Sequence, residues 1–149
     1  MIAIGSDHAG LPLKEEIIKY FNEKAIEFKD YGTYTKESVD YSDYGRKVAL
    51  SVQRGECEKG IVICGTGIGI SIAANKVKGI RCALCNDVTS AKLTRAHNDA
   101  NMLSMGAGVI GSNLTMDIVD VFMNTEFSNE EKHVRRLSQL REIETEELK

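Results

Sequence analysis

Cys64 and the glycine-rich segment after it have the residue types and spacing best suited to chemistry. The stretch from 61 to 76 reads IVICGTGIGISIAANK and holds three glycines within residues 65–69. Glycine permits main-chain conformations that a Cβ forbids, and it lets main-chain N–H groups approach a ligand closely. If a helix begins near Gly69, its unpaired N–H groups and its dipole favour an anion at this turn. Helix N-termini also favour a thiolate over a thiol. Two interpretations stay open: a reactive thiol beside an anion site, or a buried cysteine before a tight turn.

Asp7, His8 and His97 carry the other side chains suited to moving protons. Asp7 and His8 directly follow the apolar segment IAIG, and His97 precedes the segment NMLSMG. A carboxylate beside an imidazole suits proton transfer near neutral pH. Taken alone, His8 and His97 are each better explained as a loop residue that main-chain groups satisfy. Their joint occurrence with a glycine-flanked cysteine favours a site that transfers protons.

The alternation of strand-like and helix-like segments indicates how these residues are positioned. Five strands are predicted at 2–5, 26–30, 61–64, 81–85 and 101–106, each followed by a helix, at about 11–24, 41–53, 70–77, 88–96 and 114–123. This order predicts an α/β fold with a parallel sheet covered by helices on both faces. Ligands of such sheets bind at the carboxyl ends of the strands, where Cys64, Asp7 and His8 are expected.

The composition describes one ordinary globular domain that spans residues 1–149. Apolar residues make up 42%, charged residues 28%, and the net charge is −3, so nothing favours nucleic acid or an anionic membrane as partner. Neither a membrane-spanning segment nor a signal peptide is recognisable, and a cytoplasmic location is expected. Cys82 and Cys85 have the spacing of zinc or redox pairs, but they lie in the predicted strand RCALC without further ligands, so no metal is expected.

The charged end of the chain predicts a helix from about 129 to 147. Val134, Leu137 and Leu140 form a narrow apolar stripe along it. Such a helix either lies on its own domain or reaches across to a second subunit, and both possibilities remain open. Its cationic residues either bind a phosphate or form a solvated face; they are Lys132, Arg135 and Arg136.

Short motifs are spread over nearly the whole chain: SDHAG at 6–10, LK at 13–14, VDY at 39–41, ICGTGIGISIAANK at 63–76, GIR at 79–81, HNDAN at 97–101 and HVRR at 133–136. Together they resemble the type B ribose-5-phosphate isomerases, which are grouped with the galactose-6-phosphate isomerase subunits. The resemblance implies a Rossmann-like α/β/α fold and an aldose–ketose isomerisation that needs neither metal nor nucleotide. It also implies homodimers or homotetramers with each active site at a subunit boundary.

The resemblance assigns catalytic roles by matching position. Cys64 is similar to the base that removes the proton from the second carbon of the open-chain sugar. Thr66 would help to move a proton between the two substrate oxygens. His97 resembles the acid that opens the furanose ring, with Asp7 as its helper. The main-chain amides implied to stabilise the cis-enediolate are those of Gly65, Thr66, Gly67, Ile68 and Gly69.

The same resemblance implies how the substrate is held. His8, Lys132 and Arg136 match phosphate-contacting positions, and Tyr41 and Asn98 match groups that hold the sugar. Asn98, together with the ring-opening histidine, would reach the site from the neighbouring subunit.

Three departures from the family pattern bear on base and substrate. One subclass carries a glutamate base where this chain has Ile70 and a serine in place of the cysteine, so Cys64 alone fits the role here. Many relatives have an arginine where this chain has Gly108 and another where it has Lys132. The resemblance therefore implies that the phosphate is bound less tightly here or by a different combination of residues. The expected reaction interconverts ribose 5-phosphate and ribulose 5-phosphate. Two alternatives stay open: the same chemistry on allose or galactose 6-phosphate, and a non-catalytic module that binds a phosphorylated metabolite.

Overall fold

A computed structural model describes residues 1–147 and contains the predicted alternation of strands and helices. Its elements, in chain order, are β1 (Ile2–Ser6), α1 (Leu11–Glu23), β2 (Phe28–Asp30), α2 (Tyr41–Gln53), β3 (Lys59–Cys64), α3 (Ile68–Asn75), β4 (Cys82–Leu84), α4 (Val88–Asn98), β5 (Met102–Gly106), α5 (Ser112–Asn124) and α6 (Glu131–Glu147). The five strands form one parallel sheet, as predicted.

The order of the strands places the end of β3 at the centre of the sheet. That order is β2-β1-β3-β5-β4. The chain adds β2 on one side of β1 and then returns to add β3 on the other side. The carboxyl ends of β1 and β3 therefore flank a point where the direction of winding reverses, and open α/β sheets bind ligands at such points.

Helices cover both faces of the sheet and complete the three layers that the resemblance implies. On one face α1, α4 and α5 bury their apolar side chains, such as Ile17 and Phe122, against Ile61 and Ile63 of β3. On the other face α2 and α3 pack Val48 and Ile70 against the sheet residues whose side chains alternate with the first set, Ala3, Val62, Cys64 and Met102. Alternation along β3 thus directs the Cys64 side chain toward the layer of α2 and α3.

Three elements, β2, β4 and α4, have bounds that differ from the sequence prediction, and the end of α4 matters for the site. The edge strands β2 and β4 have three residues each, and each pairs with one neighbour only. Helix α4 continues to Asn98, two residues beyond the predicted end, and its C-cap Asp99 has a φ of 44°. His97 therefore lies in the last turn of a helix and not in a loop.

The C-terminal helix α6 packs beside α4 and retains an exposed apolar surface. Leu137 is buried, whereas Val134, Leu140 and Ile143 are 44%, 47% and 56% exposed. The side chain of Glu144 accepts a hydrogen bond from the main-chain N–H of Gly79, at 2.7 Å. Within residues 1–147, no helix combines the length and the apolar character that crossing a bilayer requires.

Candidate active site

The thiol of Cys64 faces a tight turn that joins β3 to α3. The main-chain N–H of Gly67 donates a hydrogen bond to Cys64 Sγ, with an N···S distance of 3.1 Å. Gly67 is the N-cap of α3 and has a φ of 78°, a conformation that glycine adopts readily. A main-chain donor and the positive end of the α3 dipole both face the sulfur.

The turn packs against β5 and is hydrogen-bonded to it. Ser104 is fully buried, and its hydroxyl donates a hydrogen bond to the carbonyl oxygen of Gly67, at 2.6 Å. The turn and the strand approach so closely that a Cβ at Gly67 would lie 2.7 Å from the carbonyl carbon of Met105. A Cβ at Gly106 would lie 2.5 Å from that of Thr66. These glycines are required because they let two segments of main chain touch.

Ser104 is a site residue that the sequence reasoning missed. Its signal is a polar residue in an otherwise apolar strand, LSMG, directly opposite Val62 of β3. A buried hydroxyl in such a place needs a hydrogen-bond partner, and the partner here is the carbonyl oxygen of Gly67, the N-cap of α3.

Asp7 and His8 lie at the same sheet edge as Cys64, as predicted. Asp7 is buried, and its Oδ1 accepts a hydrogen bond from Gly10 N–H at 2.9 Å. The Nδ1 of His8 accepts a hydrogen bond from Val39 N–H at 3.1 Å. The two neighbouring side chains therefore have different hydrogen-bond partners.

Tyr41 and the outer face of the turn complete this side of the site. The Tyr41 ring, at the start of α2, lies so close to Gly69 that a Cβ there would be 2.7 Å from its Cε1 and Cζ atoms. Thr66 is exposed, and its hydroxyl oxygen accepts a hydrogen bond from Ile68 N–H at 3.2 Å. A cavity of about 440 Å³ between α1 and α5 opens beside Gly65. A single chain thus places Cys64, its turn, Asp7, His8 and Tyr41 at the same edge of the sheet.

His97 and Asn98 lie at the opposite edge of the sheet. Helix α4 begins at the carboxyl edge and runs back, so that its end is level with the start of the strands. Asn101, just beyond it, accepts a hydrogen bond from Gly60 N–H at 3.0 Å. Gly60 precedes Cys64 by four residues of strand, about 13 Å. A single chain therefore does not bring His97 or Asn98 to the thiol, and both side chains are exposed.

His97 is stacked on His133, which the sequence reasoning did not include in the site. The ring centroids are 4.3 Å apart, and the Nδ1 of His133 lies 2.7 Å from the hydroxyl oxygen of Ser128. Burial, together with the nearby His97, lowers the pKa of His133. The HVRR motif was the available signal. The Nζ of Lys132 lies 3.7 Å from Oε2 of Glu130. Arg136 is exposed and has no ion pair within residues 1–147.

Cys82 and Cys85 do not form the metal or redox pair that their spacing suggested. Three residues apart on an extended segment, they belong to the cores on opposite faces of the sheet. Burial raises the pKa of the Cys82 thiol and raises that of Cys85 to about 11, which makes both poor nucleophiles. No group of metal-binding side chains occurs in the part of the chain that the structure describes.

Comparison with known proteins identifies the family. A family model described as Ribose/Galactose Isomerase matches residues 2–140. The Escherichia coli protein named ribose-5-phosphate isomerase B is 45% identical over 143 residues, which cover 96% of this chain and 95% of that protein. The structure of Clostridium thermocellum ribose-5-phosphate isomerase B has a TM-score of 0.95 and 51% identity, and the match covers 97% of each chain. The ribose-5-phosphate isomerase B of Mycoplasma genitalium, solved with bound ribulose 5-phosphate, has a TM-score of 0.92 and 37% identity over 97% of this chain and 96% of that one. The chain therefore belongs to the ribose/galactose isomerase family.

Proposed function

We propose that the protein is an aldose–ketose isomerase that interconverts D-ribose 5-phosphate and D-ribulose 5-phosphate through a cis-enediolate. The observation that carries this proposal is the position of Cys64 Sγ, 3.1 Å from a main-chain N–H in the turn that opens α3. A basic sulfur and an anion-stabilising helix N-terminus are the two groups that an enediolate mechanism needs. The names of relatives that match nearly the whole chain support the choice of sugar.

In this mechanism Cys64 acts as the base. The thiolate removes the proton from the second carbon, and the electron pair of that bond moves into the carbonyl, so that an enediolate forms. The sulfur then returns the proton to the first carbon, while the Thr66 hydroxyl moves a proton between the two substrate oxygens. The first-turn N–H groups of α3 have no acceptor within the helix, and each well-placed donor stabilises the oxyanion by roughly 3 kcal/mol. The amides assigned to this task belong to Gly65, Thr66, Gly67, Ile68 and Gly69. Two of them would exchange acceptors when the enediolate forms, because the N–H of Gly67 donates to Cys64 Sγ and that of Ile68 donates to Thr66 Oγ1.

Ring opening and substrate binding require groups from both edges of the sheet. We assign the opening of the furanose ring to His97, with Asp7 as helper, and the binding of the sugar hydroxyls to Tyr41 and Asn98. The phosphate would be held by His8 from one side and by Lys132 and Arg136 of α6 from the other. Because a single chain keeps these two groups at opposite edges, the proposal requires a homodimer or homotetramer. We further propose one domain over residues 1–149 and action in the cytoplasm.

Replacing Cys64 by alanine tests the base. We expect kcat to fall by about three orders of magnitude or more, with an unchanged circular dichroism spectrum. Cys57→Ala is the matched control, because Cys57 is equally buried but lies outside the site, and it should keep its activity. Isomerisation by Cys64→Ala at the wild-type rate would exclude a cysteine base.

Mixing two inactive variants tests the shared site. Cys64→Ala and His97→Ala each remove one catalytic side chain from every site of their own homodimer. A mixed dimer, however, has one site in which both side chains are intact. If subunits exchange freely in a dimer, about one quarter of wild-type activity should return, since half of the dimers are mixed. A mixture that stays inactive although mass spectrometry shows mixed dimers would place both residues of a site in one chain.

A panel of sugar phosphates decides substrate preference. The proposal expects kcat/KM to be higher for ribose 5-phosphate than for allose 6-phosphate or galactose 6-phosphate. A higher kcat/KM for a hexose phosphate would show that the hexose phosphate is the preferred substrate, and it would leave the proposed mechanism unchanged. Nucleotide binding in calorimetry, with no deuterium from solvent entering any of the sugars, would instead indicate a non-catalytic module.

A further inference from the structure

The hydrogen bond between Val39 and His8 determines which ring nitrogen of His8 carries a proton. A main-chain N–H can only donate, and it points at Nδ1 over 3.1 Å. Nδ1 must therefore present its lone pair, and the neutral imidazole carries its proton on Nε2. Asp7 Oδ1 accepts a hydrogen bond from Gly10 N–H, and among the described residues no hydrogen bond joins Asp7 to the His8 ring. The ring is partly exposed, so Nε2–H remains available to a ligand.

The segment 31–40, which carries Val39, is attached to the end of β1 beside His8. Ser6, two residues before His8, donates from its N–H to the Gly32 carbonyl and accepts from Thr33 N–H, both at 2.7 Å. At its far end the segment continues directly into α2 at Tyr41. The position of Val39 N–H is therefore set by structure on both sides of it.

A buried cation fixes the start of the same segment. The Lys14 side chain is 1% exposed, and its Nζ donates hydrogen bonds to Asp30 Oδ1 and to the carbonyl oxygen of Thr33, both at 2.6 Å. Asp30 Oδ1 also accepts from Gly32 N–H at 2.9 Å. A buried ammonium is stable only with such partners. The segment is thus held at a point where displacement would leave a charge unpaired.

We propose that the main chain of Val39 is a positioning group that holds His8 as the neutral Nε2–H tautomer, so that His8 serves the substrate as a hydrogen-bond donor. This inference rests on the proposed function, in which His8 contacts the sugar phosphate. It excludes His8 as a general base, because the only basic nitrogen of the ring is already occupied.

Nitrogen NMR of the protein labelled with ¹⁵N-histidine tests the tautomer without reference to catalysis. The His8 signals are assigned by their loss in His8→Gln, and the spectrum is recorded near pH 8. We expect Nδ1 to resonate as an unprotonated nitrogen and Nε2 as a protonated one. Val39→Pro, which lacks the N–H, should shift the ring toward a mixture of tautomers, whereas Val39→Ala keeps the donor and should keep the Nε2–H form. An Nδ1–H tautomer in the wild type would overturn the proposal.

Kinetics of two His8 variants test the donor role. The amide nitrogen of glutamine can reach the place of Nε2, whereas asparagine reaches only as far as Nδ1. We expect KM for ribose 5-phosphate to rise by about tenfold in His8→Asn and clearly less in His8→Gln. Equal KM values in the two variants would overturn the donor role even if the tautomer is as expected. A wild-type protein without isomerase activity would instead refute the proposed function, and the NMR result would still decide the role of Val39.

Discussion

Gly67→Ala perturbs the contact on which the proposed oxyanion site depends. The N–H of Gly67 points at Cys64 Sγ, and its carbonyl oxygen is held by Ser104. A methyl group at this position would lie 2.6 Å from Leu84 Cδ1 and 2.7 Å from the carbonyl carbon of Met105. The leucine tip can move aside, but the main chain of β5 is hydrogen-bonded between β3 and β4 and cannot. The turn must therefore move by about 0.7 Å to reach ordinary contact.

Two costs add to give the expected loss of stability. Alanine at a φ of 78° costs about 1 kcal/mol relative to glycine. Overpacking against β5 adds about 2 kcal/mol, so the free energy of unfolding should fall by about 3 kcal/mol. The displacement also moves a main-chain donor away from the sulfur. Loss of one such donor lowers kcat by about 100-fold.

Gly55→Ala is the matched control for this variant. Gly55 has a φ of 74°, and a Cβ there would meet nothing within 4 Å. Gly55→Ala should lose about 1 kcal/mol and keep the wild-type kcat. Urea unfolding and a steady-state assay with ribose 5-phosphate would be run on both variants. Equal losses of stability, or an unchanged kcat in Gly67→Ala, would refute the reasoning that β5 positions the turn.

Three further predictions concern groups around the site. Ser104→Ala should lower the free energy of unfolding by about 1 kcal/mol and reduce kcat more than it changes KM, because the Gly67 carbonyl loses a buried donor; a change in KM alone would contradict this. Lys14→Met should cost about 3 kcal/mol in urea unfolding, since it leaves Asp30 without its cation, and the double variant with Asp30→Asn should recover part of the loss; a fully stable single variant would show that the pair contributes nothing. Because burial lowers the pKa of His133, its contribution to stability is present above the unfolded pKa of about 6.5 and is lost as the pH falls below it. His133→Gln should flatten this part of the pH dependence of the free energy of unfolding. The charged and titratable groups around His133 are His97, Glu130, Lys132 and Arg136. An unchanged slope in His133→Gln would assign the pH dependence to those groups.

Local patterns in the sequence determined the fold class and one edge of the site. The alternation of apolar segments predicted a parallel α/β sheet, and helix α2 runs from Tyr41 to Gln53 as predicted. The glycines after Cys64 marked the turn from β3 to α3, and the place of Asp7 and His8 directly after β1 put them at the same edge. These features depend on hydrogen bonds and side-chain periods within a few residues, so a linear sequence is sufficient to indicate them.

Only the tertiary structure decided which distant residues meet. The order β2-β1-β3-β5-β4 brings Ser104 under Gly67, and the packing of the segment 31–40 brings Val39 to His8. The return of α4 to the opposite edge separates His97 from Cys64. Such contacts join residues 30 or more positions apart, and they depend on strand order and helix layers that no local pattern encodes. The sequence therefore indicated the chemical groups, whereas their partners and their separation into two edges followed from how the layers pack.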